Sequence, residues 1–241
     1  MPTSRPLFNP QLTVTTVPLS NGQCCYVVDD ALLEPERMVA WANAQKEAFR
    51  PVDFSAYPGQ FVYLSPADNA AIQTFFLQHM RGRFDARRLV RLHARLSMIT
   101  LAPQALRPAQ WLCHKDHFGL EPTQSIQASV LYLFDNESLG GTGFFEPTRP
   151  SDEMAALFAD AITLPAAEFS ARYDIAPGYL RDSNRYFRRI GSVPARWNRM
   201  VFYDGTILHT GDIHTPWQLS DDTLRARLTL NGFFTCRRHA S

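Results

Sequence analysis

The strongest chemical pattern in the chain is His114-Lys115-Asp116. In an extended segment, residues two apart share a face, so the imidazole and the carboxylate converge on one point. Residues 110–114 are β-rich, which predicts a strand ending on that pair. A second imidazole, His209 in Leu208-His-Thr-Gly, lies far downstream and would complete two nitrogens and one carboxylate. Such a set grips a metal from one side and leaves three cis positions of an octahedral ion open. An isolated HxD arises often by chance, so its weight depends on what surrounds it. His214 is a rival for the distal position. His209 is preferred because it follows directly on a strand and turn at Tyr203-Asp204-Gly205. By parity Lys115 and His117 face away from His114 and Asp116, and Cys113 reads as a small core residue.

The elements that must position these groups fall into two parts. The first 94 residues read as a strand and helix layer. Residues 23–29 are β-rich. Pro35 suits the first turn of a helix running to about Phe49, with Met38, Trp41, Ala42 and Gln45 on one face. Tyr57-Pro58-Gly59 signals a turn. Ser65-Pro66 caps and opens a second helix through Ile72, Phe75 and Phe76 to about Met80. From residue 95 to 235, short β-rich runs at 96–101, 110–114, 126–134, 142–145, 200–203, 207–210 and 224–235 alternate with Pro, Gly, Asp and Asn. That texture predicts an antiparallel sandwich or barrel. An excursion at about 150–197 breaks it, with a helix-like stretch (Met154, Leu157, Phe158, Ile162) and then an Arg- and Tyr-rich segment. No repeat or linker marks a boundary, so 1–241 is read as a single domain.

Three further features surround the HxD. Ala128-Ser-Val-Leu-Tyr-Leu-Phe-Asp-Asn is a strand followed closely by Gly140-Gly141-Thr142-Gly143-Phe144-Phe145. Asn198-Arg-Met-Val-Phe-Tyr-Asp-Gly is a strand and turn just before His209. Arg227-Leu-Thr-Leu-Asn-Gly-Phe-Phe is a closing strand with Arg227, Thr229, Asn231 and Phe233 on one face. This order resembles the Fe(II)/2-oxoglutarate-dependent oxygenases, in their prolyl-hydroxylase-like branch, over roughly residues 96–235. The flanking pieces look like an uncharacterised bacterial subgroup of that branch. The resemblance implies a mainly β fold with added helices: a double-stranded β-helix (jelly-roll, cupin-like) core under an N-terminal helical layer.

The resemblance also implies roles. His114, Asp116 and His209 would hold Fe(II). Arg227 would pair bidentately with the distal carboxylate of 2-oxoglutarate, and Tyr132 would share that carboxylate. Asn231 would line the same pocket. Dioxygen would be consumed, succinate and CO2 released, and a C–H bond of an amino acid, peptide or protein side chain hydroxylated. Asp116 favours hydroxylation over halogenation, because halogenases of the superfamily resemble HxG or HxA. Two spacings depart from the branch: 95 positions from His114 to His209, and 18 from His209 to Arg227. The first is absorbed by the 150–197 excursion and the second by an insertion at 212–222.

Two rival functions stay open. The same His/Asp/His set could hold Zn²⁺ for hydrolysis, or the barrel could be a non-catalytic cupin-like binding protein. Arg227 separates them, since a hydrolase needs no carboxylate anchor inside the barrel. In the excursion Arg181, Arg185, Arg188 and Arg189 cluster with Tyr179, Tyr186 and Phe187. This reads as a lid over the substrate entrance, with Arg185 and Tyr186 as substrate-binding candidates, or more plainly as a surface loop or oligomer contact. The basic run from Arg81 to Arg95 reads as a solvated helix face.

Composition excludes other classes. Twenty-four basic against twenty-three acidic side chains give a formal net charge of +1, no footprint for nucleic acid or an anionic membrane. Nearly all the basic residues are arginine; only Lys46 and Lys115 are lysine. Apolar runs such as 130–134 are far short of the roughly 20 residues of a membrane span. Residues 1–10 carry no apolar stretch of the secretory type. The four cysteines have no metal-binding spacing and are expected to be reduced. The expected protein is cytoplasmic and takes a small-molecule or peptide substrate, with a homodimer left open.

Overall fold

A computed structural model gives the fold and describes residues 6–51, 57–116 and 119–239. Its strands, in chain order, are β1 (Val14–Pro18), β2 (Cys24–Val28), β3 (Arg50–Pro51), β4 (Gly59–Tyr63), β5 (Arg88–Ile99), β6 (Gln124–Tyr132), β7 (Thr142–Pro147), β8 (Phe187–Val193), β9 (Met200–Asp204), β10 (Leu208–Gly211) and β11 (Arg227–Arg237). Every named pair is antiparallel. The large sheet runs β1-β2-β9-β6-β11-β5-β4-β3 and the small one β10-β7-β8. The expected mainly β jelly-roll architecture is present. The N-terminal layer is part of it, however, because β1 to β4 are strands of the large sheet and β5 crosses the boundary expected at residue 94.

The helices cover the outer faces. α1 (Pro35–Ala44) starts on a proline, which lacks the N–H a first turn leaves unpaired. It stops five residues before the expected Phe49, and a short 3-10 turn follows. α2 (Pro66–Phe75) is capped by Ser65, whose Oγ accepts from the Asp68 N–H at 3.2 Å and donates to the Asp68 carboxylate at 2.6 Å. A wider turn, Phe76–Met80, prolongs it as expected. Within the excursion, α3 (Ser151–Thr163) and α4 (Ala166–Tyr173) are followed by β8, an edge strand of the small sheet. Met154, Leu157 and Ala161 are buried there, whereas Ile162, expected on the same face, points to solvent.

Strand parity sorts the large sheet into two environments. Leu228, Leu230 and Phe234 of β11 and Ala94, Leu96 and Met98 of β5 pack against α1 and α2. The Phe76 and Phe234 rings stack at 4.0 Å, and truncating such a buried ring costs about 3–5 kcal/mol. The odd-numbered partners, Arg227, Thr229, Asn231 and Phe233 of β11 and Arg95 of β5, line a cavity bordered by both sheets. A one-residue slip would exchange the two sets, so the apolar face fixes the register of the polar one.

Candidate metal centre and ligand cavity

His114 does not end a strand. Pro108–Gln110 form a 3-10 turn, and His114 instead makes a single bridge to His209, N–H to carbonyl in both directions at 3.0 and 2.9 Å. The Asp116 N–H donates to the Gly205 carbonyl at 2.8 Å. A β-carbon on Gly205 would sit 3.1 Å from both Asp116 Cβ and Ile126 Cγ2, so glycine lets the Asp204-Gly205 turn approach the carboxylate. Backbone pairing across a long sequence gap therefore assembles the group.

The result is three ligand atoms, from His114, Asp116 and His209, all within 4.8 Å of one another. His209 Nε2 lies 3.3 Å from Asp116 Oδ2, and His114 Nε2 lies 3.9 Å from Oδ1. The His209 Nδ1–H points to the Ile207 carbonyl at 2.8 Å, which leaves Nε2 bare toward the carboxylate. His114 shows 36% of its side chain, all the rest being enclosed by protein. Burial, with His209 beside it, pulls its pKa down to about 4; burial does the same to His209. Burial pushes the Asp116 carboxyl up to about 6, against the pull of His114 and Arg95, and its Oδ2 has no hydrogen-bond donor. Two neutral imidazoles and a buried carboxylate thus aim lone pairs at one point, an arrangement that a cation would satisfy. His214 lies elsewhere, exposed and 3.3 Å from Asp212. His117 lies outside the described residues.

The cavity beside this group has a volume of about 410 Å³. At one end Arg227 is buried at 3% exposure. Its Nε donates to the Gly140 carbonyl at 3.0 Å and Nη2 to Gly141 at 2.6 Å, leaving Nη1 for the cavity. The bidentate fork expected from sequence is thus partly committed to the backbone. Gly140 makes that possible: its φ is +81°, and a β-carbon would collide with the Asp212 carbonyl. Among the described residues no carboxylate lies within 4 Å of the guanidinium; Asp212 is taken by Arg189 at 2.6 Å. Burial lowers the Arg227 pKa, but a guanidinium keeps its charge. Tyr132 stands behind the wall, its hydroxyl 2.8 Å from Thr142 Oγ1, and Thr142 faces the cavity.

Other expectations are redistributed. Asn231 lines the cavity but lies opposite Arg95 in register, four positions from Arg227. Arg185 and Tyr186 do not line it: Arg185 is exposed, and Tyr186 is buried among Tyr173 and Phe187 under α3 and α4. Lys115, read as facing away, stands exposed at the cavity rim. Tyr179, from the arginine- and tyrosine-rich cluster of the excursion, does line the cavity, as do Arg95, Tyr57 and Gln110, which were not singled out as site residues. For Arg95 a signal existed. Leu92, Ala94, Leu96 and Met98 alternate with His93, Arg95 and Ser97, which extends the strand upstream and turns Arg95 inward.

Several solved structures are similar to this chain. SnoK, a non-heme alpha-ketoglutarate-dependent carbocyclase from nogalamycin biosynthesis, is 16% identical with a TM-score of 0.50, over 89% of this chain and 80% of its own. A Pseudomonas putida prolyl-4-hydroxylase is 16% identical with a TM-score of 0.43, over 86% of each chain. HygX from Streptomyces hygroscopicus, solved with nickel and 2-oxoglutarate, is 11% identical with a TM-score of 0.48, over 90% of this chain and 84% of its own. The likeness to SnoK bears out the expected fold, shared with the Fe(II)/2-oxoglutarate oxygenases. No curated protein matches the sequence. No helix among the described residues is long and apolar enough to cross a membrane. The sequence profile of a family of unknown function, DUF6445, matches residues 10–234, and the chain belongs to that family.

Proposed function

We propose that this protein is an Fe(II)- and 2-oxoglutarate-dependent dioxygenase that hydroxylates a C–H bond of an amino acid, peptide or protein side chain. One observation carries the reading: the His114/Asp116/His209 group shares its cavity with Arg227, a buried cation that has no acid partner among the described residues. A metal hydrolase would have no use for that cation, whereas a dicarboxylic co-substrate needs both features.

The ligand set suits Fe(II), two imidazole nitrogens and one carboxylate leaving other positions free. Iron and 2-oxoglutarate, when bound, supply the oxidising chemistry, consuming dioxygen and releasing succinate and CO2 as the substrate is hydroxylated. The chain's own residues position these reactants. The Ile207 carbonyl holds the His209 ring in the tautomer that offers Nε2. Arg227 receives the distal carboxylate through Nη1, in a wall braced by the Tyr132–Thr142 hydrogen bond. Burial at this end excludes water and strengthens the pairing. Asp116 fills the place that a halogenase leaves open for halide.

The test is anaerobic addition of Fe(II) and then 2-oxoglutarate to the metal-free protein, watching for the visible charge-transfer band of the chelated metal. The expected result is a band that His209→Ala abolishes and His214→Ala keeps. No band from the unmodified protein, together with tight Zn²⁺ binding, would put a hydrolase in its place.

A further inference from the structure

We propose that Arg95 binds a carboxylate of the substrate, so that the cavity takes two acids at once: the co-substrate's on Arg227 and a small substrate's on Arg95. The identity of the first acid rests on the oxygenase reading above.

Arg95 reaches the cavity from β5 at the level of Asn231, four residues along the sheet from Arg227. At about 3.3 Å per residue, the two backbones are roughly 13 Å apart along the strands. The two arginines therefore enter the cavity from separate levels of the sheet. Arg95 is held by ring faces: its guanidinium carbon lies 4.8 Å from the centroid of Phe61, 5.1 Å from Phe233 and 5.8 Å from Tyr57. Ring faces stabilise the cation but accept no N–H along its edge. Its Nε is buried with no hydrogen-bond acceptor, and among the described residues no carboxylate lies within 4 Å of it. An edge-on oxyanion would satisfy that donor, and the planar guanidinium matches a carboxylate.

Charge points the same way. Among the described residues lining the cavity, Arg95, Lys115 and Arg227 are cationic and Asp116 is the sole carboxylate. A divalent ion raises the positive balance, and the two acid groups of 2-oxoglutarate do not cancel it. Low-dielectric walls focus the remaining potential on an anionic substrate. The volume of about 410 Å³, shared with the co-substrate, leaves room inside for a group no larger than a small molecule. Asn231 Oδ1, buried opposite Arg95 and without a partner, suits a hydroxyl or amino donor beside the carboxylate.

The test titrates protein loaded with Ni(II) and 2-oxoglutarate and follows its thermal midpoint. The probes are free amino acids, α-hydroxy acids and dicarboxylic acids, each beside its carboxamide, with phosphomonoesters as a separate arm. The expected result is that at least one acid raises the midpoint and its amide does not. Arg95→Gln should weaken that acid's half-saturation by roughly tenfold to a hundredfold. Arg95→Lys should weaken it less, keeping the charge without the fork. Both variants should still form the Fe(II)·2-oxoglutarate band, which reports the oxygenase reading separately. The proposal is overturned by an acid that Arg95→Gln binds as well as the unmodified protein, by an amide bound as well as its acid, by a response to phosphomonoesters alone, or by no response to any acid. A missing band in the unmodified protein would sink the oxygenase reading instead.

Discussion

Two arginine-rich stretches of this chain, residues 81–95 and 181–189, look alike in sequence and behave oppositely. The second, with Tyr186 in its midst, reads as a lid over the substrate entrance or, more plainly, as a surface loop or oligomer contact. Two of its arginines are engaged in structure, Arg188 with Glu146 and Arg189 with Asp212, while Arg185 lies exposed against the face of Tyr186 and Arg181 keeps a buried Nε without a hydrogen-bond partner. The first reads as an inert solvated helix face. It is no helix beyond a short turn at Arg81–Arg83, and most of it is strand β5, whose inward parity delivers Arg95 to the cavity with no acid partner among the described residues. Residue type does not separate a functional arginine from a structural one. Arg188 and Arg189 differ from Arg95 in that the fold supplies the first two with a carboxylate and places the third in the cavity.

That comparison can be broken at several points, and the largest effect belongs to Arg189. Its guanidinium meets both oxygens of Asp212, at 3.2 and 2.6 Å, and the Asp212 side chain is 8% exposed. Arg189→Met leaves that buried carboxylate with only the exposed His214 imidazole, 3.3 Å away, and should lower unfolding stability by about 3 kcal/mol, read from urea titration. A loss within about 0.5 kcal/mol would place Arg189 among the surface arginines.

Next comes Arg227, the arginine that keeps a nitrogen for the cavity. Arg227→Met should raise the 2-oxoglutarate concentration needed for half of the charge-transfer band by on the order of a hundredfold, while Fe(II) still binds. Arg227→Lys should recover part of that loss. An unchanged titration would remove Arg227 from the cavity's function.

A smaller effect tests an arginine pair outside both stretches. Arg199 donates to both oxygens of Asp29, at 2.6 and 3.0 Å, and holds that carboxyl below its ordinary pKa. Because the folded pKa is depressed, the pair's contribution is complete above the unfolded value of roughly 3.9 and is lost as pH falls through the folded one. Asp29 is 40% exposed, so solvent screening keeps the contribution to at most about 1 kcal/mol. The urea midpoint of the unmodified protein should drop more between pH 7 and pH 3 than that of Asp29→Asn. Equal drops would show the pair to be idle.

The smallest effect is expected at Arg185. Arg185→Ala should change stability by less than about 0.5 kcal/mol and leave the Fe(II)·2-oxoglutarate band and substrate binding as they were. A marked loss of substrate binding would restore the lid reading and reverse the comparison.

Much of the fold was legible in local pattern. Ser65-Pro66 announced a helix because a hydroxyl before a proline satisfies what the first turn lacks. The alternation of residues 227–233 announced a strand with one polar face, and the short β-rich runs between turn residues announced an antiparallel sandwich or barrel, which the family resemblance narrowed to a jelly roll. The failures have physical causes too. Residues 110–114 carry strand-forming types, yet a turn at Pro108–Gln110 leaves only the single His114–His209 bridge. The basic run was read as helix because six arginines at mixed spacing hide the alternation of Leu92, Ala94, Leu96 and Met98 beneath it.

The sequence by itself determined the chemistry available: the types and order of His114, Asp116, His209 and Arg227, and the strand periodicity that puts polar residues on one face of β11. Those are local properties, set by side-chain type and by a repeat of two. Tertiary structure decided convergence. It chose His209 over His214 by a backbone bridge, drew Asp116 in through the Gly205 carbonyl, turned part of Arg227's fork onto Gly140 and Gly141, and gave Asp212 to Arg189. Each of these is a contact between segments far apart in sequence. Which groups meet, and which charges remain without a partner, follows from how the two sheets close on each other rather than from any one stretch of chain.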